Sequence, residues 1–235
     1  MPKVKRMILG AMAVTMTLGF CAVTEASEGF ATPKDAMYFF ISAINELDYD
    51  KALEAFPIDL AAENYDFESC IDRLGGWTQT YNMLISSSSN ENVLFNKRHF
   101  RNGLEKKLDY FIFSFMVDPK YTEGLSIAQR PEEGDDIIAE LGNVNIEDIQ
   151  ELKLFSLDYA SPSSQNKDYF QNMYADRAAV YGGDTMEEYQ VVYLVGSKFY
   201  WGGAQFIKYG DDYYLWELES ELLNTNSYWM VEPVN

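Results

Sequence analysis

Four aromatic residues near the C terminus carry the most suggestive chemistry in the chain: Tyr200, Trp201, Tyr214 and Trp216. Flat rings of this kind stack on sugars and small apolar ligands, and they also fill cores and pair across strands. They belong to a longer aromatic run that includes Tyr189, Tyr193, Phe199, Tyr209 and Tyr213. Other reactive types are sparse. The sole histidine, His99, stands in the basic patch Asn96-Lys97-Arg98-His99-Phe100-Arg101. A general base needs an oriented partner, and the sequence offers none beside it, so a helix-surface role is expected. Cys70 sits in the half-apolar segment Phe67–Leu74, far in sequence from that histidine. It reads as a buried inert thiol, with an intermolecular disulfide as its other use. No catalytic residue is assigned.

Metal chemistry finds no pattern either. The acidic runs Glu132-Glu133-Gly134-Asp135-Asp136 and Asp211-Asp212 lack the alternating oxygen ligands and closing Glu of a calcium loop. Zinc needs His and Cys, which are nearly absent. The expectation is solvated turns, with no metal and no cofactor.

Charge narrows the partners. The chain has 18 Lys and Arg against 37 Asp and Glu. Removing a leader with Lys3, Lys5, Arg6 and Glu25 leaves 15 against 36, a net −21. Such a surface repels phosphate backbones and anionic lipid heads, so nucleic acid is not an expected partner. Solubility is the plain consequence of the charge. A cationic partner, such as a basic cell-wall component or a divalent ion, is the functional one.

That leader is expected from the first residues. Lys3, Lys5 and Arg6 precede the uncharged run Met7–Val23, and Thr24-Glu25-Ala26 places small residues where a leader peptidase cuts. This is the order of a secretory signal peptide, cleaved after Ala26, with residues 27–235 as the mature part. An uncleaved anchor is the alternative. Lipidation at Cys21 is another, although Phe20 is a bulky residue to precede the modified Cys. No later run is apolar enough to span a membrane. One cysteine remains after cleavage, so no internal disulfide can form and the fold rests on its core.

The elements that must position the aromatics follow from spacing. Thr32-Pro33-Lys34-Asp35 is a helix start, and Ala36, Phe39, Phe40, Ala43, Ile44 and Leu47 recur at helical intervals. A short helix over Lys51–Phe56 ends before Pro57. Ser69–Leu84 is amphipathic but interrupted by Gly75-Gly76, and Ser86–Asn90 is a polar loop. The longest helix is expected over Lys97–Val117, buried at its apolar end and closed by Asp118-Pro119. Gln129–Asp136 is a charged turn. Glu147–Tyr159 starts acidic and finishes as a strand. Asp168–Tyr181 is a helix stopped by Gly182-Gly183. Three strands then form an antiparallel meander: Glu188–Val195, Phe199–Tyr209 and Tyr213–Leu218, with turns at Gly196-Ser197-Lys198 and Gly210-Asp211-Asp212. Alternation sends Tyr214 and Trp216 to one face and Tyr213 and Leu215 to the other. Gly202 and Gly203 suggest a bulge or bend. Tyr228-Trp229-Met230 lies over the sheet or hangs free. The pattern is α+β.

The opening TPKDAMYFFISAINELDYDKALEAF and the closing VVYLVGSKFYWGGAQFIKYGDDYYLWELES resemble the nuclear-transport-factor-2-like (SnoaL-like, cystatin-like) superfold. The closing cadence, through YGGDTMEEY, is also similar to that of uncharacterised exported proteins of Gram-positive bacteria. The resemblance covers the first helix and roughly the last seventy residues. It implies a single domain over 27–235 in which a curved antiparallel sheet wraps helices into a cone around a cavity. A helical insertion at about 63–143 enlarges the middle. The superfold hosts enzymes, ligand binders and interaction modules. Its isomerases place a donor Tyr on the first helix about two turns before the closing Asp. Counting back from Asp50 gives Ile41-Ser42, and Tyr38 lies a turn too early. The expected function is therefore that of an exported, non-enzymatic binding or interaction domain. Its partner would be a small molecule, a glycan or a protein, and it could form a homodimer. The alternative is a small hydrolase, dehydratase or isomerase using a cavity carboxylate, which a cavity without Asp, Glu or His would remove.

Overall fold

The computed structural model describes residues 29–74, 84–116, 122–123, 126–127, 144–225 and 229–234. The expected leader and cleavage site at Ala26, the Gly75-Gly76 break, the expected Gln129–Asp136 turn and Tyr228 lie outside the described residues.

Helix α1 (Pro33–Asn45) begins as its sequence demands. The Thr32 hydroxyl accepts from the Asp35 N–H at 3.2 Å and donates to the Asp35 carboxylate at 2.6 Å. These bonds satisfy donors and acceptors at a terminus that otherwise lacks partners. Ala36, Met37, Phe40, Ile41, Ala43 and Ile44 form its buried stripe. Three short helices follow: α2 (Tyr49–Leu53), α3 (Ile58–Glu63) and α4 (Phe67–Leu74).

Helix α5 spans Asn90–Ser114, seven residues earlier at its start than the expected Lys97. The expected polar loop holds through Ser89, which supplies the cap: its hydroxyl accepts from the Asn92 N–H at 3.3 Å. Asn96 is fully buried because its amide clamps Ile85, accepting from its N–H at 3.0 Å and donating to its carbonyl at 2.7 Å. Polar residues in a helix start look like loop until their partners are known. Strands β1 (Thr122–Glu123) and β2 (Ser126–Ile127) pair antiparallel in the part expected to be helical.

A 3-10 helix (Ile146–Glu151) leads into β3 (Lys153–Tyr159). Then come α6 (Lys167–Val180), β4 (Thr185–Val195), β5 (Lys198–Tyr209), β6 (Asp212–Glu217) and β7 (Glu232–Pro233). The sheet order is β3-β4-β5-β6, all antiparallel, with β7 pairing β5 at Tyr200 and Trp201. Gly196, at φ +57°, makes the two-residue turn between β4 and β5, a backbone region that glycine enters without strain. The sheet is curved, and its register slips at two bulges. One places Phe155 as the extra residue of β3, the other Trp216 as the extra residue of β6. Bulges bend a sheet and raise its twist. The order of helices and curved meander is the one the NTF2-like resemblance implies.

Both faces of the sheet carry helices. On one, Val191, Tyr193, Tyr200, Ala204, Phe206 and Leu215 pack against α1, α2 and α5. On the other, Met186, Ile207 and Tyr214 pack against Tyr174 and Ala178 of α6, with Trp216 at the edge. The alternation expected for β6 is therefore observed.

Gly202 and Gly203 do not make the bulge their sequence suggests. They pair regularly with Val191 and Gln190. A Cβ on Gly203 would stand 2.4 Å from the Ser220 backbone nitrogen, so glycine is needed there to let the C-terminal segment cross the strand. That segment is held by Glu188, a carboxylate only 1% exposed. It accepts from Gln205 Nε2 at 3.0 Å, from the Leu222 N–H at 3.0 Å, from the Glu221 N–H at 3.3 Å and from the Ser220 hydroxyl. A buried charge is tolerable only when its lone pairs are filled in this way. Further on, Trp229 enters the main core, fully buried and stacked on Phe56 with centroids 5.3 Å apart.

Candidate functional site

A cavity of about 300 Å³ opens between α5, the α2–α3 junction and the end of β6. Three residues of α5 face it at intervals of four: His99, Gly103 and Lys107. That spacing stacks side chains on one helix face, with Phe100 and Leu104 beside them. Phe56, Pro57 and Ile58 form the opposite wall. Trp216 and Glu217 close the end. Strict alternation would send these two neighbours to opposite faces of the strand. The bulge at Trp216 breaks that alternation, and both reach the cavity.

Gly103 is the position where the helix wall is bare. A Cβ built there meets nothing within 4 Å. Glycine inside a helix costs about 0.5–1 kcal/mol relative to alanine. Here it leaves space between His99 and Lys107.

The apolar wall is a cluster of three rings. Trp216 lies 4.6 Å from Tyr181 and 5.8 Å from Phe100, and Phe100 lies 5.8 Å from Tyr181. Burial, reinforced first by the neighbouring Cys70 and then by the negative charge of Glu217, pushes the Tyr181 phenol well above its usual range, so it stays protonated. Outside the rim, His99 stacks on Phe95 at 5.9 Å.

The polar end is an ion pair. Lys107 Nζ lies 2.6 Å from Glu217 Oε2, and both side chains are largely shielded, at 29% and 20% exposure. The indole N–H of Trp229 donates to the same oxygen. Lys107 also stands 5.6 Å from the Trp229 ring centroid, which adds a cation–π contact. The buried tryptophan thus fixes the carboxylate, and the carboxylate fixes the lysine.

Just beyond the cavity, Glu219 has a buried Oε2 with no hydrogen-bond partner among the described residues. Burial, then the neighbouring charge of Glu217, push its carboxyl up to about 7; Lys107 and Arg177 act against that shift.

The structure separates the four aromatics singled out by sequence. Tyr200 is buried in the main core, and its hydroxyl donates to the Phe115 carbonyl at 3.3 Å. Tyr214 is buried in the second core, near Phe30 and Tyr209. Trp201 is half-buried and pairs with Val192 and Glu232. Trp216 alone of the four lines the cavity. His99, read as a helix-surface residue, stands half-exposed at the cavity wall. The sequence does not mark Lys107 and Glu217 as site residues. Their one sequence signal is charge at the apolar end of α5 and at the end of a strand, and neither reveals the pairing.

The remaining positions of interest lie elsewhere. Tyr38, a turn too early to be the donor of the isomerases, is exposed, with Lys34 Nζ 5.5 Å from its ring centroid. Cys70 is a buried free thiol. Lys97 pairs with Asp59 and Glu63, and Arg101 with Asp50 and Glu105, so the basic face of α5 offsets acids of α2, α3 and its own next turn. Among the described residues, no three His, Cys, Asp or Glu gather in a metal-holding group, and no helix is long and apolar enough to cross a membrane.

No protein-family model and no curated protein matches the chain. Among solved structures it is similar to a cystatin-like protein from Ruminococcus gnavus ATCC 29149, with 13% identity, a TM-score of 0.47 and 86% of this chain covered. The chain spans 44% of the length of that protein.

Proposed function

We propose that this protein is an exported binding domain that holds a small molecule in the cavity between α5 and β6. The observation that carries the reading is Gly103, a helix-interior glycine whose missing side chain leaves open space beside Lys107 and Trp216. A wall of three rings with one polar end is the usual make-up of a small-ligand site, and its volume falls at the low end of such sites. Export rests on the charged start, the run Met7–Val23 and the small residues ending at Ala26.

The test is Gly103→Leu. It places a side chain in open space, so the fold should hold while the ligand is excluded. Native mass spectrometry of the full chain, expressed with its own leader and purified without denaturation, should show a small co-purifying mass in the parent. The Gly103→Leu protein should lack it. Equal retention by both would refute the cavity reading. The same spectra report export, because a chain beginning at Ser27 is about 26 residues shorter than the translated one.

A second reading is supported by Glu217 and His99, which face one cavity and could act as base and acid in a hydrolase, dehydratase or isomerase. Glu217 already accepts from Lys107 and Trp229 on one oxygen, which favours anchoring over proton transfer. Turnover of a small substrate that disappears in Glu217→Gln with binding retained would establish the enzymatic reading instead.

A further inference from the structure

We infer that the ligand of this cavity is a net-neutral zwitterion with an apolar body, of the kind presented by an apolar α-amino acid. The inference rests on the small-ligand reading above and adds the chemistry of the polar end.

The argument starts from what the Lys107–Glu217 pair leaves unfilled. An ammonium has three N–H donors, and Lys107 uses one on Glu217 among the described residues. Both donors that reach Glu217 from those residues go to Oε2. Oε1 receives none from them. Both side chains keep some exposure, at 29% and 20%, so a ligand that displaces water from them must match the remaining donors and lone pairs itself.

Each simple class of ligand fails on one side of that pair. A monoanion satisfies Lys107 but meets the Glu217 carboxylate and a chain of net charge −19. A monocation satisfies Glu217 but meets Lys107. An uncharged hydrocarbon fills the ring wall of Phe100, Tyr181 and Trp216 and leaves both polar partners stripped of water. A molecule with ammonium and carboxylate on adjacent atoms gives each partner its opposite charge. Its apolar body then lies along the rings. The volume of about 300 Å³ limits that body to one ring or its aliphatic equivalent.

The test is isothermal titration of the full chain with three probes of one shape: L-phenylalanine, 3-phenylpropionate and 2-phenylethylamine. The expected result is that L-phenylalanine binds at least about tenfold more tightly than either singly charged probe. Lys107→Met should bring it down to the level of 2-phenylethylamine, and Glu217→Gln to that of 3-phenylpropionate. Comparing the probes on the unaltered chain needs no variant, so a folding defect in either substitution leaves the test intact. Equal or tighter binding of a singly charged probe, or no binding of L-phenylalanine, overturns the inference. The cavity reading is judged separately, by ligand retention in Gly103→Leu, so a failure of the zwitterion inference is distinguishable from a failure of the cavity reading on which it rests.

Discussion

Glu188 and Leu222 lie 34 positions apart in sequence, yet the Glu188 carboxylate accepts the Leu222 N–H at 3.0 Å from inside the protein. With Ser220 and the Glu221 N–H on the same carboxylate, this contact ties the C-terminal segment to the middle of β4. The segment in turn leads to Trp229, whose indole N–H fixes Glu217 at the cavity. The anchor of the C-terminal segment and the geometry of the candidate site are therefore linked through one stretch of chain.

Breaking that anchor should be costly. Removing one partner of a buried charged network leaves the others desolvated and unpaired. Glu188→Ala should destabilise the protein by about 3–5 kcal/mol. Ser220→Ala should cost less, about 1–2 kcal/mol. The two effects should not add, because both act on one network. Urea unfolding of the two single variants and the double variant measures all three values. Hydrogen exchange at Glu221 and Leu222 should accelerate in both single variants. An additive double variant would mean that Glu188 and Ser220 do not act as one network.

The architecture was legible because its signals are local. The Thr32 cap, the stripe on α1, the glycines after α6 and the alternation around Tyr214 and Trp216 each follow from a few neighbouring residues. The site was less legible because it depends on contacts distant in sequence. Lys107 meets Glu217 across 110 positions, and only the bulge at Trp216 lets both neighbours face one cavity. Gly103 carries no signal in the sequence of α5, because its role lies in the space beside it. Glu188 looks like an ordinary polar residue of a strand, because its partners Ser220, Glu221 and Leu222 follow the last strand of the meander.

Gly103 yields a prediction of opposite sign to most substitutions. Its surroundings are open, so alanine meets no obstacle, and the helix gains about 0.5–1 kcal/mol. Gly103→Ala should therefore raise the thermal midpoint by a few degrees. Ligand affinity should stay near that of the parent, because one methyl group occupies little of the cavity. Calorimetry on parent and variant checks the first point, and titration checks the second. A fall in midpoint would show that the position is crowded rather than open.

Glu219 sets a pH dependence whose sign can be worked out. Burial and the charge of Glu217 raise its carboxyl from an ordinary 4.5 to about 7, so between those values the folded state binds the proton that the unfolded state has released. Stability then falls as pH rises through this window, and the loss is complete above it. The contribution is about 2–3 kcal/mol at most, because Lys107, Arg177 and partial exposure moderate the buried charge. Glu219→Gln removes the titration. The variant should match the parent near pH 4.5 and exceed it in unfolding free energy at pH 8. Urea midpoints at the two pH values measure the difference directly. A parent that gains stability relative to the variant as pH rises would mean that Glu219 is paired as a carboxylate, and that the space around Lys107 is more polar than its surroundings imply.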